Sequence, residues 1–238
     1  MNEIFRSYLR KFVLVFFDDI LVYSRTIEEH RDHLRRVLQV LRDNQLYANQ
    51  KKCLFGQTEL EYLGHIVSEK AVSADESKVA AMREWPRPKS IRELRGFLGL
   101  TGYYRRFVES YGSIAWPLTQ QLKKNNFGWN EEAEAAFLKL KTAMMTVPVL
   151  GLPNFTQPFI VETDASGYGI GAVLMQDRRP IAYFSQVLPQ RARSKSIYER
   201  ELMAIVMAIQ KWKHYLLEGD SSFEPTNVAL NSYWSSEK

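Results

Sequence analysis

The run Phe12-Val13-Leu14-Val15-Phe16-Phe17-Asp18-Asp19-Ile20-Leu21-Val22-Tyr23 constrains this chain more than any other. Two adjacent carboxylates interrupt a stretch that is otherwise apolar or aromatic. Two short buried strands meeting at a turn satisfy that pattern. Unpaired charges beside a core are costly, and a divalent cation held by the pair would offset the cost. The competing reading is a solvent-exposed Asp-Asp turn, because Asp is a favoured turn residue. The run alone does not choose between them.

The 238 residues allow one large or two small domains. Hydrophobic residues make up 45% and aromatic residues 13%, enough for a packed core and too much for global disorder. The formal net charge is +5. Between Met82 and Phe107 stand Arg83, Arg87, Lys89, Arg92, Arg95, Arg105 and Arg106 against only Glu84 and Glu93, so this one segment accounts for the whole excess. A polyanionic partner fits it. The single cysteine, Cys53, excludes an internal disulfide and a cysteine metal site, and fits a reducing compartment. The chain is therefore read as intracellular, cytoplasmic or nuclear, with an organelle left open. No apolar stretch approaches a membrane span, so no membrane partner is expected.

Helix starts are well marked. Thr26-Ile27-Glu28-Glu29, Ser73-Ala74-Asp75-Glu76, Ser90-Ile91-Arg92-Glu93 and Ser196-Ile197-Tyr198-Glu199 all read as capping boxes, and Asn130 as a further cap. The first helix is expected to run to about residue 46. The second should end near Trp85, where Pro86 and Pro88 forbid continuation. Strands are expected at residues 52–55, 62–67, 159–163, 169–176 and 180–185. A last helix over residues 197–217 carries the apolar stripe Tyr198, Leu202, Ile205, Ile209, Trp212 and Leu216. Residues 218–238 are polar and aperiodic, and read as a loose tail.

Four motifs share one family's order. Phe16-Phe17-Asp18-Asp19 between apolar strands resembles the palm hairpin of reverse transcriptases, and Tyr62-Leu63-Gly64-His65 resembles their primer-grip segment. The run from Glu93 through Leu94-Arg95-Gly96-Phe97-Leu98-Gly99 to Tyr103-Tyr104-Arg105-Arg106-Phe107 resembles the thumb of gypsy-type LTR retrotransposon polymerases. Thr163-Asp164-Ala165-Ser166, followed by Gly169-Ile170-Gly171-Ala172-Val173-Leu174, resembles the first strands of the attached RNase H domain. The resemblance covers about residues 1–217, with plant gypsy-type elements nearest in character. It implies an α/β (α+β) fold: the C-terminal half of a palm over residues 1–74, thumb and connecting helices over 75–150, the N-terminal part of an RNase H-like domain over 151–217, and an irregular tail over 218–238.

The same resemblance assigns roles. Asp18 and Asp19 become polymerase metal ligands, with Asp18 the main one. Asp164 and Glu201 become ligands of the RNase H-like site. A helical wheel does not separate Glu199 from Glu201; Glu199 also suits a helix-start carboxylate favoured by the dipole, and it is the resemblance that selects Glu201. Gly64 and His65 would touch the primer end, while Arg87, Lys89, Arg92, Arg95, Arg105 and Arg106 would neutralise phosphates. The implied cofactor is Mg²⁺. The implied partners are an RNA–DNA hybrid or primer-template duplex and the remaining parts of the polyprotein. Each site is incomplete. No upstream palm Asp precedes the hairpin, and where the family needs Thr-Asp after the last helix the chain has Asn227-Val228-Ala229-Leu230, with Asp220 a poor replacement in a turn. Octahedral Mg²⁺ is held badly by half a ligand set, so neither polymerisation nor hybrid cleavage is expected from this chain alone. Two further readings stay open: a non-catalytic nucleic-acid-binding module built on the basic segment, and an interaction protein pairing through open sheet edges.

Overall fold

The computed structural model describes residues 1–69, 71–123, 127–217 and 228–232. It is a mixed α+β structure in two compact units, Met1–Leu63 with Val67–Glu69, and Gly64–Ile66 with the residues from 71 onward. Among the described residues no helix is long and apolar enough to cross a membrane.

In the first unit the apolar run folds into the antiparallel hairpin β1 (Val13–Phe16) and β2 (Asp19–Val22), with Phe16 opposite Asp19. Helix α1 (Ile27–Asp43) follows, its Thr26 hydroxyl accepting the Glu29 N–H at 3.2 Å. Val37 and Leu41 of α1 close a small core with Phe5, Phe12 and Val13. The expected strand at residues 52–55 does not form. Gln50–Lys52 make a 3-10 turn instead, capped by the Asn49 side chain, and the chain then runs irregularly to β3 (Glu59–Tyr62). The strand expected over 62–67 is likewise cut: Leu63 and Gly64 both take positive φ, and β4 (His65–Ser68) starts after them.

The second unit continues with β5 (Ala71–Ala74) and α2 (Glu76–Arg83). The cap of α2 is Asp75, which accepts the Ser77 N–H at 2.8 Å, and not Ser73, because residues 71–74 are already committed to a strand. Helix α3 (Ile91–Tyr103) is capped by Ser90, α4 (Tyr111–Gln121) carries Pro117 inside it, and α5 (Glu131–Met145) is capped by Asn130. Leu94, Phe97, Leu118, Phe137, Leu140 and Met144 make one continuous core between these helices. The two-residue strand β6 (Leu150–Gly151) pairs with β5.

Beyond it lie β7 (Phe159–Ala165), β8 (Gly169–Gln176) and β9 (Arg179–Val187), the short α6 (Gln190–Arg193), α7 (Ile197–Leu216) and β10 (Val228–Ser232). The sheet order is β10-β7-β8-β9, antiparallel except for the parallel β10–β7 edge. The stretch 218–238 is thus not irregular throughout: residues 228–232 add a strand beside β7, and the rest lies outside the described residues. One sheet face packs Phe159, Val161, Ala172 and Leu174 against Ala208, Trp212 and Leu216 of α7. The apolar stripe of α7 therefore divides. Trp212 and Leu216 are buried, whereas Tyr198, Leu202 and Ile209 face solvent and two small residues, Ala204 and Ala208, take the inner positions. The opposite sheet face meets the thumb-like helices: Tyr183 packs on their core, and the Gly112 N–H donates to Ser185 Oγ at 2.7 Å. A Cβ on Gly112 would stand 3.2 Å from the Ser185 carbonyl oxygen. Residues 75–150 and 151–217, distinct segments in the sequence, therefore share one compact unit.

Candidate active site and nucleic-acid surface

The β1–β2 turn places Phe17 in the left-handed region (φ 51°) and leaves its ring 79% exposed, packed edge-on against Phe16 at 4.8 Å. Asp18 and Asp19 are both solvent-exposed at this tip. The burial penalty weighed for the pair is not incurred, because both carboxylates stand at the exposed tip, away from the buried Val13 and Leu21. Asp19 stands near enough to Tyr62 to add to the rise that burial gives the Tyr62 hydroxyl pKa.

Asp164 is the last but one residue of β7, exposed, one residue beyond the buried Thr163. Glu201 reaches it from the first turns of α7. Burial first, and the Asp164 charge second, raise the Glu201 carboxyl pKa, against the Ala165 N–H and Arg200, which lower it. Two carboxylates from separate elements thus share one neighbourhood. Glu199 is engaged elsewhere. It completes the capping box with Ser196, binds Lys195 at 2.8 Å, and is held at a pKa of about 2 by those bonds. The parallel strand β10 sets Asn231 beside Glu162 and Ser232 beside Thr163. Among the described residues no group of three or more His, Cys, Asp or Glu is arranged to hold a metal ion; Asp220 lies outside them.

Asp164 also lines a cavity of about 440 Å³ with Glu109, Glu162, Arg178 and Tyr183. Glu162 is a neighbour that the sequence pattern offered and the motif reading passed over. It precedes Asp164 by two residues on one strand, and period two puts both on one face.

The turn at Gly64 is locked from α3. Tyr104 donates its hydroxyl to the Gly64 carbonyl at 2.6 Å, and Gly64 has φ +71°, where an added Cβ would meet that hydroxyl at 3.0 Å. His65 is half-buried, stacked on Tyr103 and edge-on to Tyr104. Burial, then the Arg106 charge, lower its pKa. The basic residues divide into two sets. Lys89, Arg92, Arg95 and Arg105 are exposed and form no ion pair among the described residues, with Arg92 and Arg95 one turn apart on α3. Arg87 pairs with Glu134 at 3.5 Å and lies over the Trp129 ring. Arg106 is turned inward: its guanidinium reaches the Ile181 carbonyl at 3.4 Å and its Nε is buried. Its expected place on the phosphate-facing surface is therefore corrected, because the following residues Phe107 and Val108 are core and carry it against β9.

Two family models match this chain. Residues 1–67 fit the reverse transcriptase (RNA-dependent DNA polymerase) model, and residues 129–224 fit the RNase H-like domain found in reverse transcriptase. The chain is 41% identical over 219 residues to the retrovirus-related Pol polyprotein from transposon 297 of Drosophila melanogaster, covering 91% of this chain and 21% of that protein. It is 36% identical over 229 residues to the Pol polyprotein from transposon gypsy of the same organism, covering 91% of this chain and 22% of that protein. An uncharacterised mitochondrial protein of Arabidopsis thaliana is 56% identical over 131 residues, covering 54% of this chain and 83% of that protein. The chain belongs to the reverse transcriptase/RNase H-like family of retrotransposon Pol polyproteins. It is a fragment in that family's terms, spanning about a fifth of the Pol polyproteins it matches. The fold agrees with that of a foamy viral protease-reverse transcriptase solved in complex with an RNA/DNA hybrid, at a TM-score of 0.83 and 20% identity, covering 97% of this chain and 31% of that one. The RNase H-like match begins at residue 129, inside the helical segment and before the Pro-rich break near Gly151. Reverse transcriptase and RNase H families use divalent metal ions.

Proposed function

We propose that this chain is a piece of a plant gypsy-type Pol polyprotein, comprising the C-terminal half of the palm (1–74), thumb and connecting helices (75–150) and the first part of the RNase H-like domain (151–217). Its parent enzyme copies RNA into DNA and hydrolyses RNA in hybrids. The fragment itself binds an RNA–DNA hybrid or primer-template duplex through the exposed face of α3 and performs neither reaction alone. The approach of Glu201 to Asp164, with no group of three or more His, Cys, Asp or Glu arranged to hold a metal ion among the described residues, carries this reading. Carboxylates brought from two elements suit a hard divalent cation, and all-oxygen donors suit Mg²⁺. When bound, the ion would activate water and neutralise the scissile phosphate. Asp164 and Glu201 would hold it, Asp18 and Asp19 would serve the polymerase site, and the parent's other segments would supply the remaining ligands. An intracellular setting accords with the lone free Cys53.

The test has two readouts on the purified chain. Hybrid binding should fall steeply with salt, while primer extension and hybrid cleavage stay at background in Mg²⁺. Cleavage that disappears in Asp164→Asn would overturn the inactivity, and salt-independent association with no hybrid binding would favour the interaction-protein reading. Mg²⁺ should raise the thermal midpoint of the native chain slightly and that of Glu201→Gln not at all.

A further inference from the structure

Three side chains from separate elements of the second unit meet at its surface, and none of them belongs to the basic segment 83–107. They are Trp116 of α4, Tyr168 of the β7–β8 turn and Arg193 at the end of α6. The Arg193 guanidinium lies 5.4 Å from the centre of the Tyr168 ring and 5.7 Å from that of Trp116. Its Nε donates to the Leu188 carbonyl at 2.9 Å, and the Leu188 N–H donates in turn to the Tyr168 carbonyl at 2.8 Å. Ser166 Oγ accepts the N–H groups of Tyr168 and Gly169, which fixes the turn. Lys123 Nζ stands 5.8 Å from the Trp116 ring centre, and Arg191 is exposed on α6. Among the described residues no carboxylate pairs with Lys123, Arg191 or Arg193.

A cation between two rings would serve as a simple staple if the rings were covered. They are not: Tyr168 is 73% and Trp116 38% exposed. The Arg193 Nη groups form no hydrogen bond or ion pair among the described residues, so the planar fork is held in place with donors to spare. The surface offers pre-positioned positive charge beside open aromatic faces. Its complement is a chain of regularly spaced negative charges carrying flat, unpaired rings. A duplex keeps its bases stacked on one another and has no free face for Tyr168. An acidic peptide matches the charge and not the rings.

We propose that Trp116, Tyr168 and Arg193 form a platform for a single-stranded nucleic-acid segment, with a base stacked on Tyr168 and backbone phosphates against Arg193, Arg191 and Lys123. Tyr168 follows Asp164 by four residues, so a strand held here lies on the turn that leaves the acid pair. This goes beyond duplex binding by α3 and is separable from it.

The experiment is fluorescence anisotropy of a labelled oligothymidylate with the full chain in EDTA, where no metal at Asp164 and Glu201 takes part. Tyr168→Ala should weaken binding roughly 5- to 150-fold, the worth of one base stack, and Tyr168→Phe should retain it. Arg193→Gln should reduce the slope of log affinity against log salt by about 0.7, one phosphate contact on a single strand. Unchanged affinity in Tyr168→Ala, or an equal loss in Tyr168→Phe, overturns the proposal. So does an Arg193→Gln chain that melts earlier yet binds as before when folded, since that is the signature of a staple. The duplex reading is scored separately in the same buffer, by Arg92→Glu with Arg95→Glu on an RNA–DNA hybrid, so either can fail while the other stands.

Discussion

Glu199 and Glu201 stand two residues apart at the start of α7 and meet opposite environments. Lys195 and Ser196 hold the Glu199 pKa at about 2, below its ordinary 4.5. A depressed carboxyl contributes stability above the ordinary value and loses it as pH falls from about 4.5 toward 2. Glu201 is shifted upward, by burial and by Asp164, so its contribution is full at low pH and is lost as pH rises through its raised value. Glutamine at each position should therefore act with opposite sign. At neutral pH, Glu199→Gln should melt below the native chain and Glu201→Gln above it, and both differences should close in acid. A pH series of thermal midpoints checks this; a Glu201→Gln chain that melts below the native one at neutral pH would mean that burial and the Asp164 charge do not hold the Glu201 carboxyl pKa up. Tyr104 offers a second test on a single bond. Tyr104→Phe removes the donor to Gly64 and should cost about 1 kcal/mol. Gly64→Ala should cost roughly 1–3 kcal/mol, because it places a Cβ at φ +71° and 3.0 Å from that same hydroxyl. Equal small losses in both, measured by denaturant titration, would show that the turn is not held from α3.

Within α3 and the turn that follows it, neighbouring arginines do different work. Arg92→Glu with Arg95→Glu should lower hybrid affinity, and reduce its salt slope by about 2 if each contacts one phosphate, with the thermal midpoint unchanged. Arg106→Ala should instead destabilise the chain by about 1–2 kcal/mol, the worth of a charged donor on the Ile181 carbonyl, and leave the salt slope alone. Anisotropy and melting on the two variants separate the roles, and a reversed pattern would return Arg106 to the binding surface. That division was not legible in the sequence, where all the cations of segment 83–107 look alike. Helix starts were, because a cap is a local bond: Thr26, Ser90, Asn130 and Ser196 each accept the expected N–H. Asp75 displaced Ser73 because residues 71–74 are committed to strand β5, whose Ala71 and Val72 pair with β6, a contact remote in sequence. Helix α4 carries no cap signal, since Ser110 makes no side-chain cap bond, and it holds Gly112 and Pro117 within it; the glycine is needed for the close approach to Ser185. The half-exposed stripe of α7 shows the same limit. Periodicity finds an apolar face, but the register of the sheet decides which side is covered. For the candidate sites, the family resemblance selected Asp164 and Glu201, while the capping box already gave Glu199 the local task that the fold shows.

The two compact units differ in how much core supports them. The first rests on Phe5, Phe12, Val13, Val37 and Leu41, while Phe17, Tyr47, Leu54 and Phe55 remain exposed on it. The second joins the helical core around Leu94, Phe97, Leu118, Phe137 and Leu140 to the sheet core around Val161, Leu174, Ala208 and Trp212, with the Gly112–Ser185 and Arg106–Ile181 bonds between them. Small cores yield marginal stability, because the buried fraction of surface falls with size. Units of unequal stability open separately, so the chain should not unfold in one step. Urea titration followed by hydrogen exchange should show amides of α1 and β1–β2 exchanging first, and those of α5, β7 and β8 only in a later transition. Trp212→Ala, which empties a buried site worth about 3–5 kcal/mol, should advance the later transition and leave the earlier one in place. Leu202→Glu on the exposed side of the same helix should shift neither by more than about 0.5 kcal/mol. A single coincident transition, moved as a whole by Trp212→Ala, would mean that the units fold as one.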